Sequence, residues 1–386
     1  MDFALIGTGA RSLAYREEIR RLPGQRVAVL CDLDADRLAA YHRRWFDADP
    51  AIRLETDFRA AVSGPDVDVV VVCTPDTAHV DVALAAAAAG KHLLVEKPVA
   101  TTRADLLRAY RGLKDHPGAI QVGFVLRYAP FFRALRDVVR SGRLGTVVGI
   151  TAAEMLDPRH AGSFYRRWHR FSRNNGGLLN AKCSHDLDLL NWVIGCDPVS
   201  VSAAGGLRHF VPDPSVPATC RGCPRYDTCP FAFDYAYYDR NYEGFHSLSD
   251  LCVYNSEKDI VDHESLLLRY EDGTVARFEL RMLAPEETRR WTVVGSAATL
   301  DADFLRNEIR IRPLRGGEEV LRPDGEGGGH GGGDEGLVAD LVRQIEAGAP
   351  ENRIRAGVLA SLTALAADES LADGLPRDPR TPELRA

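Results

Sequence analysis

Phe3-Ala4-Leu5-Ile6-Gly7-Thr8-Gly9-Ala10-Arg11 carries the pattern from which the rest of the chain is read. A short apolar run enters a turn with two glycines. A helical pattern through Leu13, Ile19 and Leu22 follows and stops at Pro23-Gly24. Strand, glycine turn and helix in that order suit a nucleotide pyrophosphate: glycine lets the backbone turn tightly and come close, and the helix N-terminus favours negative charge. Ser12 stands at the third glycine position of the usual fingerprint, so a plain glycine turn is the alternative. Asp32 weighs against it. It closes the second apolar run, Val27 to Cys31, where an acid accepts hydrogen bonds from the adenosine ribose and repels a 2′-phosphate. Leu33 and Asp34 follow, not a basic pair, so NAD is expected over NADP.

Working outward, helices over 35–46, 78–90 and 103–113 alternate with strands over 67–73, 92–95 and 119–125. Strands apolar throughout, each separated by a helix, predict a parallel sheet covered on both faces. Right-handed crossovers make it a doubly wound Rossmann domain, set at residues 1–122. A connecting helix is expected over 130–141. Beyond it, Val147 to Glu154, Val199 to Ala204, Ser265 to Tyr270, Val275 to Leu280 and Thr292 to Gly295 are strand-like without regular helices between them. Glu271-Asp272-Gly273 reads as a hairpin turn. Residues 123–325 are therefore expected to form an α+β domain with an open, largely antiparallel sheet and a cysteine-rich insertion at about 205–260. Residues 326–386 read as a glycine-rich loop, a helix capped by Asp334, a second helix from Ala356 to Asp368, and a mobile tail.

Composition narrows the class. The 386 residues suit two domains, and 45% hydrophobic with 27% charged content is that of a soluble globular protein. A net charge of −7 argues against nucleic-acid or anionic-membrane partners. The N-terminus lacks the apolar core of a secretory signal, and no apolar run approaches the ~20 residues of a membrane span. A cytoplasmic location is expected.

Two clusters carry the chemistry. Thr74-Pro75-Asp76 follows one strand, and this loop should edge the cofactor near the nicotinamide ribose. His79 is either a cofactor contact or a helix-start residue with a satisfied ring. Glu96-Lys97-Pro98 follows Leu93-Leu94-Val95 directly, placing a lysine at the tip of a buried strand, with Pro98 a candidate cis bond. The second cluster runs from Gly176 to Asp188. Lys182, His185 and Asp188 recur at helical spacing ahead of the apolar stripe Leu189, Leu190 and Val193. Histidine exchanges protons near neutral pH, and Asp188 could orient its ring. Lys97 and His185 are expected to act on one carbon.

Gly7-x-Gly9, Asp32, Thr74-Pro75, Glu96-Lys97-Pro98, Gly123-Phe124…Arg127 and His185-x-x-Asp188 together resemble the Gfo/Idh/MocA oxidoreductases. The resemblance spans residues 1 to about 200 and continues in architecture. It implies an NAD-binding Rossmann domain, a C-terminal open sheet mediating homo-oligomers, and oxidation or reduction of sugars, cyclitols and their derivatives. The cofactor residues would be Gly7, Thr8, Gly9, Ala10, Arg11, Asp32, Thr74, Pro75, His79, Glu96 and Lys97. Many members carry an aspartate four positions before the histidine, and this chain has Ala181 there. Lys182 resembles the lysine of a subgroup written K-x-S-H-D-x-D. Lys97 would then bind the substrate hydroxyl, His185 would transfer the proton, and Lys182 would orient the substrate or lower a pKa. Two alternatives stay open: a redox-assisted glycosidase that oxidises its sugar transiently, and a non-catalytic dinucleotide sensor.

Three features remain. Arg127, Tyr128, Tyr165, Arg166, Arg167, Trp168 and Arg170 form either a basic, aromatic substrate rim or a solvated loop. Cys220-x-x-Cys223, Cys229 and Cys252 suggest a structural zinc, or else an iron–sulfur cluster, a disulfide or ordinary thiols. The run Gly327 to Gly333 is a flexible linker by composition. By the subgroup resemblance it is a loop bringing His330 to the substrate.

Overall fold

The computed structural model describes residues 1–242 (side chains of 240–242 excepted), 249–325 and 327–385. Parts of the expected insertion and terminal segment, at 243–248, 326 and 386, lie outside the described residues. The chain divides into two compact units. The first holds Met1–Val125 and Gly333–Ser361; the second holds the described residues of 126–240, 249–332 and 362–385.

The first unit alternates strand and helix: β1 (Asp2–Ile6), α1 (Ala10–Arg21), β2 (Arg26–Cys31), α2 (Ala35–Phe46), β3 (Arg53–Glu55), α3 (Phe58–Ser63), β4 (Val69–Val72), α4 (His79–Ala88), β5 (His92–Val95), α5 (Arg103–Leu113) and β6 (Ile120–Val122). All strand pairs are parallel, in the order β3-β2-β1-β4-β5-β6. Every residue of β4 is fully buried, as a strand covered on both faces must be. The order reverses between β1 and β4, so the loops after β1, β4 and β5 leave the same edge at the point where such sheets bind ligands. Residues 351–353 extend the edge beside β6 through Ile120 N–H to Glu351 O at 2.9 Å and Arg353 N–H to Ile120 O at 2.8 Å.

The second unit contains α6 (Pro130–Arg140), β7 (Val147–Met155), α7 (Pro158–Arg166), α8 (Ser172–Asn175), α9 (Ser184–Ile194) and β8 (Pro198–Gly206), then β9 (His263–Tyr270), β10 (Val275–Arg281), β11 (Thr288–Gly295), β12 (Ala298–Asp303), β13 (Glu308–Pro313) and β14 (Glu319–Leu321). These strands make one eight-stranded sheet, β14-β13-β12-β11-β7-β10-β9-β8, antiparallel except where β7 meets β10. Burial alternates strictly along β9, so one face is packed and the other exposed. Strands β12 to β14 were not expected. Their apolar positions alternate with Asp, Glu and Arg, which weakens the signal of each short run.

The expected mobile tail is tied down. Val201 and Arg377 exchange backbone hydrogen bonds of 2.8 and 2.9 Å, and Leu384 is buried. Asp334 does not cap its helix; it lies in the first turn of Gly333–Glu346 and pairs with Arg11 at 2.5 Å. No helix among the described residues is long and apolar enough to cross a membrane.

Candidate functional site

In the first unit, the β1–α1 loop is built for close approach. Gly7 has φ +96°, and a Cβ there would lie 2.5 Å from the Cys73 carbonyl oxygen, so only glycine fits. A Cβ on Gly9 would meet nothing within 4 Å, leaving room for a ligand at the start of α1. That helix has no side-chain cap and no acid in its first turn, so its N–H groups are available to a phosphate. Asp32 fixes the loop: its Oδ2 accepts from Thr8 N–H at 2.9 Å and Thr8 Oγ1 at 2.6 Å. A carboxylate has acceptor capacity beyond these two bonds, so the residues fit an adenosine diol at this position.

Glu96 and Arg11 are tied to each other. Buried Glu96 takes Arg11 Nε at 2.5 Å and the Tyr15 hydroxyl, and its other oxygen accepts the Lys97 N–H at 3.0 Å. Although burial opposes ionisation, Arg11 and Tyr15 hold the Glu96 carboxyl below its ordinary range. The Lys97–Pro98 bond is cis. His79 is a clamp: Nδ1 lies 2.7 Å from Pro98 O and Nε2 3.0 Å from Thr74 O, joining the loops after β4 and β5. Asp76, the third residue of the Thr74-Pro75-Asp76 loop, is buried beside them. Burial pushes its carboxyl up to about 6, and among the described residues its Oδ2 has no hydrogen-bond partner.

In the second unit, Lys182 and His185 do not share one continuous α-helix. Leu179–Cys183 is a π-helical turn, and α9 begins only at Ser184. Such turns insert a residue and re-aim side chains, often at functional sites. Lys182 Nζ pairs with Glu154 Oε1 at 2.8 Å and lies 3.9 Å from Glu287 Oε1. Arg289 reaches Glu154 Oε2 and Asp186 Oδ1, both at 2.8 Å. Arg289 and Glu154 are direct cross-strand partners of β11 and β7, which is why they meet. His160 Nδ1 lies 2.9 Å from Glu287 Oε2. Burial pushes the Asp186 carboxyl up to about 6. Against the same burial, His160 and the nearby cations hold Glu287 at about 2.

The His185 and His330 rings stand 6.0 Å apart. Within the glycine run a Cβ on Gly331 would meet the Phe304 ring at 2.8 Å, whereas one on Gly329 or Gly332 would meet nothing within 4 Å. Asp188 grips Arg127 through bonds of 2.6 Å at both oxygens. The expected rim is only partly a rim. Tyr128, Tyr165 and Arg166 are buried, Tyr165 donates to Val261 O, and Arg166 donates to Leu251 O and Phe231 O. Trp168 is half-buried and stacks on His169 at 3.8 Å.

The expected metal centre is corrected. Cys220, Cys223, Cys229 and Cys252 are free thiols lining one cavity of about 220 Å³. Among the described residues, however, no group of three or more His, Cys, Asp or Glu side chains is disposed to hold a metal ion. Arg166 Nη2 donates toward Cys220 Sγ at 3.7 Å. Neither zinc nor an iron–sulfur cluster is supported.

Residues 1–124 match the family model described as an oxidoreductase family with an NAD-binding Rossmann fold, and residues 132–301 match the Gfo/Idh/MocA C-terminal domain. The chain belongs to the Gfo/Idh/MocA family. It is 26% identical over 351 residues to YteT of Bacillus subtilis, a protein named as an oxidoreductase, covering 82% of this chain and 81% of that one. Inositol 2-dehydrogenase 2 of Saccharopolyspora erythraea is 31% identical over 208 residues, 53% of this chain and 56% of that protein. A levoglucosan dehydrogenase solved in complex with NADH has a TM-score of 0.77 at 20% identity, covering 99% of both chains, which establishes a shared fold.

Proposed function

We propose that this chain is an NAD-dependent dehydrogenase that oxidises a CH–OH group of a sugar or cyclitol, or reduces the corresponding ketone. The observation that carries the reading is Lys97. It stands two residues beyond β5, beside the sheet's switch point and on a backbone held by buried Glu96, and the glycine loop shaped for a dinucleotide leaves the same edge. Family membership and the inositol dehydrogenase relative support the same reaction class. The redox-assisted glycosidase and the sensor gain no support from them.

In the forward direction the carbinol C–H leaves with its electron pair as hydride, the O–H proton leaves to a base, and a ketone results. Bound NAD supplies the electron-pair acceptor. Asp32 would hold the adenosine ribose and exclude a 2′-phosphate; Thr8, Gly9, Ala10, Thr74 and Pro75 would line the dinucleotide. Lys97 would bind the reacting oxygen, His185 would accept its proton, and Lys182 would orient the neighbouring hydroxyls. Arg127, Trp168 and His330 would bound the substrate, and a homo-oligomer would use the exposed sheet face, where Val148, Leu267 and Val294 are uncovered.

The test is a cofactor-reduction screen of purified protein over neutral hexoses, anhydrosugars and cyclitols with NAD and with NADP. Stoichiometric NADH from at least one polyol is the expected result. No reduced cofactor with any of them, in either direction, would overturn the reading.

A further inference from the structure

Lys182 is the conspicuous cation of the substrate unit, yet it is heavily compensated. Its ammonium faces Glu154 from β7 at 2.8 Å and Glu287 from the approach to β11 at 3.9 Å. Arg289 is shared between Glu154 and Asp186, and His160 sits on Glu287. Across this network three carboxylates meet two permanent cations and one histidine. The Arg127 guanidinium, the nearby cation of the same unit, is matched by Asp188 at both oxygens. Glu154 is wholly buried between Lys182 and Arg289, so its charge is not there for solubility. A buried carboxylate set against a buried lysine is a selection device: it lets the lysine donate hydrogen bonds while cancelling its attraction for anions.

We propose that Glu154, acting through Lys182, is a specificity-determining residue that commits the site to neutral polyols and rejects sugar acids. The proposal deepens the dehydrogenase reading and rests on it for the identity of the pocket. Its charge logic belongs to the second unit alone and is measurable without turnover.

The experiment measures binding of gluconate and of a neutral hexitol by tryptophan fluorescence, for full-length wild type, Glu154→Gln, Glu154→Asp and the Glu154→Gln/Lys182→Met double variant. Glu154→Gln should raise the gluconate-to-hexitol affinity ratio by about tenfold or more, because the ammonium then loses its 2.8 Å partner and keeps only Glu287 at 3.9 Å. Glu154→Asp should stay near wild type, and the double variant should lose the gain. A ratio unchanged within about twofold in folded Glu154→Gln, or a gain that survives in the double variant, overturns the proposal. If Glu154→Gln does not fold, Glu287→Gln decides: a smaller shift in the same direction supports it, and none overturns it. The readings separate cleanly. Absence of NADH formation with any polyol defeats the dehydrogenase assignment, whereas an unmoved affinity ratio defeats only the role of Glu154.

Discussion

Arg127 and Asp188 form a two-pronged ion pair, with Nε and Nη2 each 2.6 Å from a carboxylate oxygen and Asp188 buried. Removing the guanidinium takes both of these charge-assisted bonds from a buried carboxylate. Arg127→Ala should therefore lose about 3–5 kcal/mol of stability by denaturant unfolding. Arg127→Lys should recover only part of it, since an ammonium cannot reproduce the planar fork. A loss below about 1 kcal/mol in Arg127→Ala would show that the pair is incidental.

Gly7 and Gly9 should respond differently to alanine. At Gly7 the added methyl is blocked by Cys73 O and φ is positive, so Gly7→Ala should cost about 1–3 kcal/mol or more in folding. At Gly9 the space is open. Gly9→Ala should fold normally and weaken NAD binding, read by calorimetry. Equal stability losses in the two variants would contradict this division.

Asp32 should govern the choice of cofactor. Asp32→Ser removes the charge that repels a 2′-phosphate and should narrow the preference for NAD over NADP by about tenfold or more in kcat/KM. An unchanged ratio would place discrimination elsewhere. Because Asp32 also anchors Thr8, a modest rise in KM for NAD should accompany the change.

Glu264 and Asp368 make stability depend on pH. Burial first, and for Glu264 the charge of Asp368, push these carboxyls up to about 9 and about 7. The folded protein thus holds protons that the unfolded chain has already released. The stability this contributes is complete below the ordinary carboxylate range and declines as pH rises through about 7 to about 9. Tm should fall across that interval, and Glu264→Gln should flatten the fall. Parallel Tm curves for the two proteins would refute it.

The Rossmann half was legible because its signals are local and redundant. Gly7, Gly9, Asp32 and the uninterrupted valines of β4 each report a position on a parallel sheet. The substrate half was legible in its motif and not in its wiring. The spacing of Lys182 and His185 suggests one α-helical face, and the π-helical turn at Leu179–Cys183 breaks it. Thr288-Arg289-Arg290 reads as a polar approach to a strand, yet Arg289 is buried by its cross-strand partner Glu154, a pairing set by register across more than a hundred residues. The cysteine spacing predicted a ligand set, and the fold did bring all four thiols to one cavity wall. Spacing alone could not reveal that Arg166 packs beside Cys220.

The most direct measurement is turnover of His185→Ala with NAD and whichever polyol the wild type oxidises, alongside NAD affinity. If His185 accepts the hydroxyl proton, kcat should fall by about 10²–10⁴ while the dissociation constant for NAD stays within about twofold. Near-normal turnover in that variant would contradict the account.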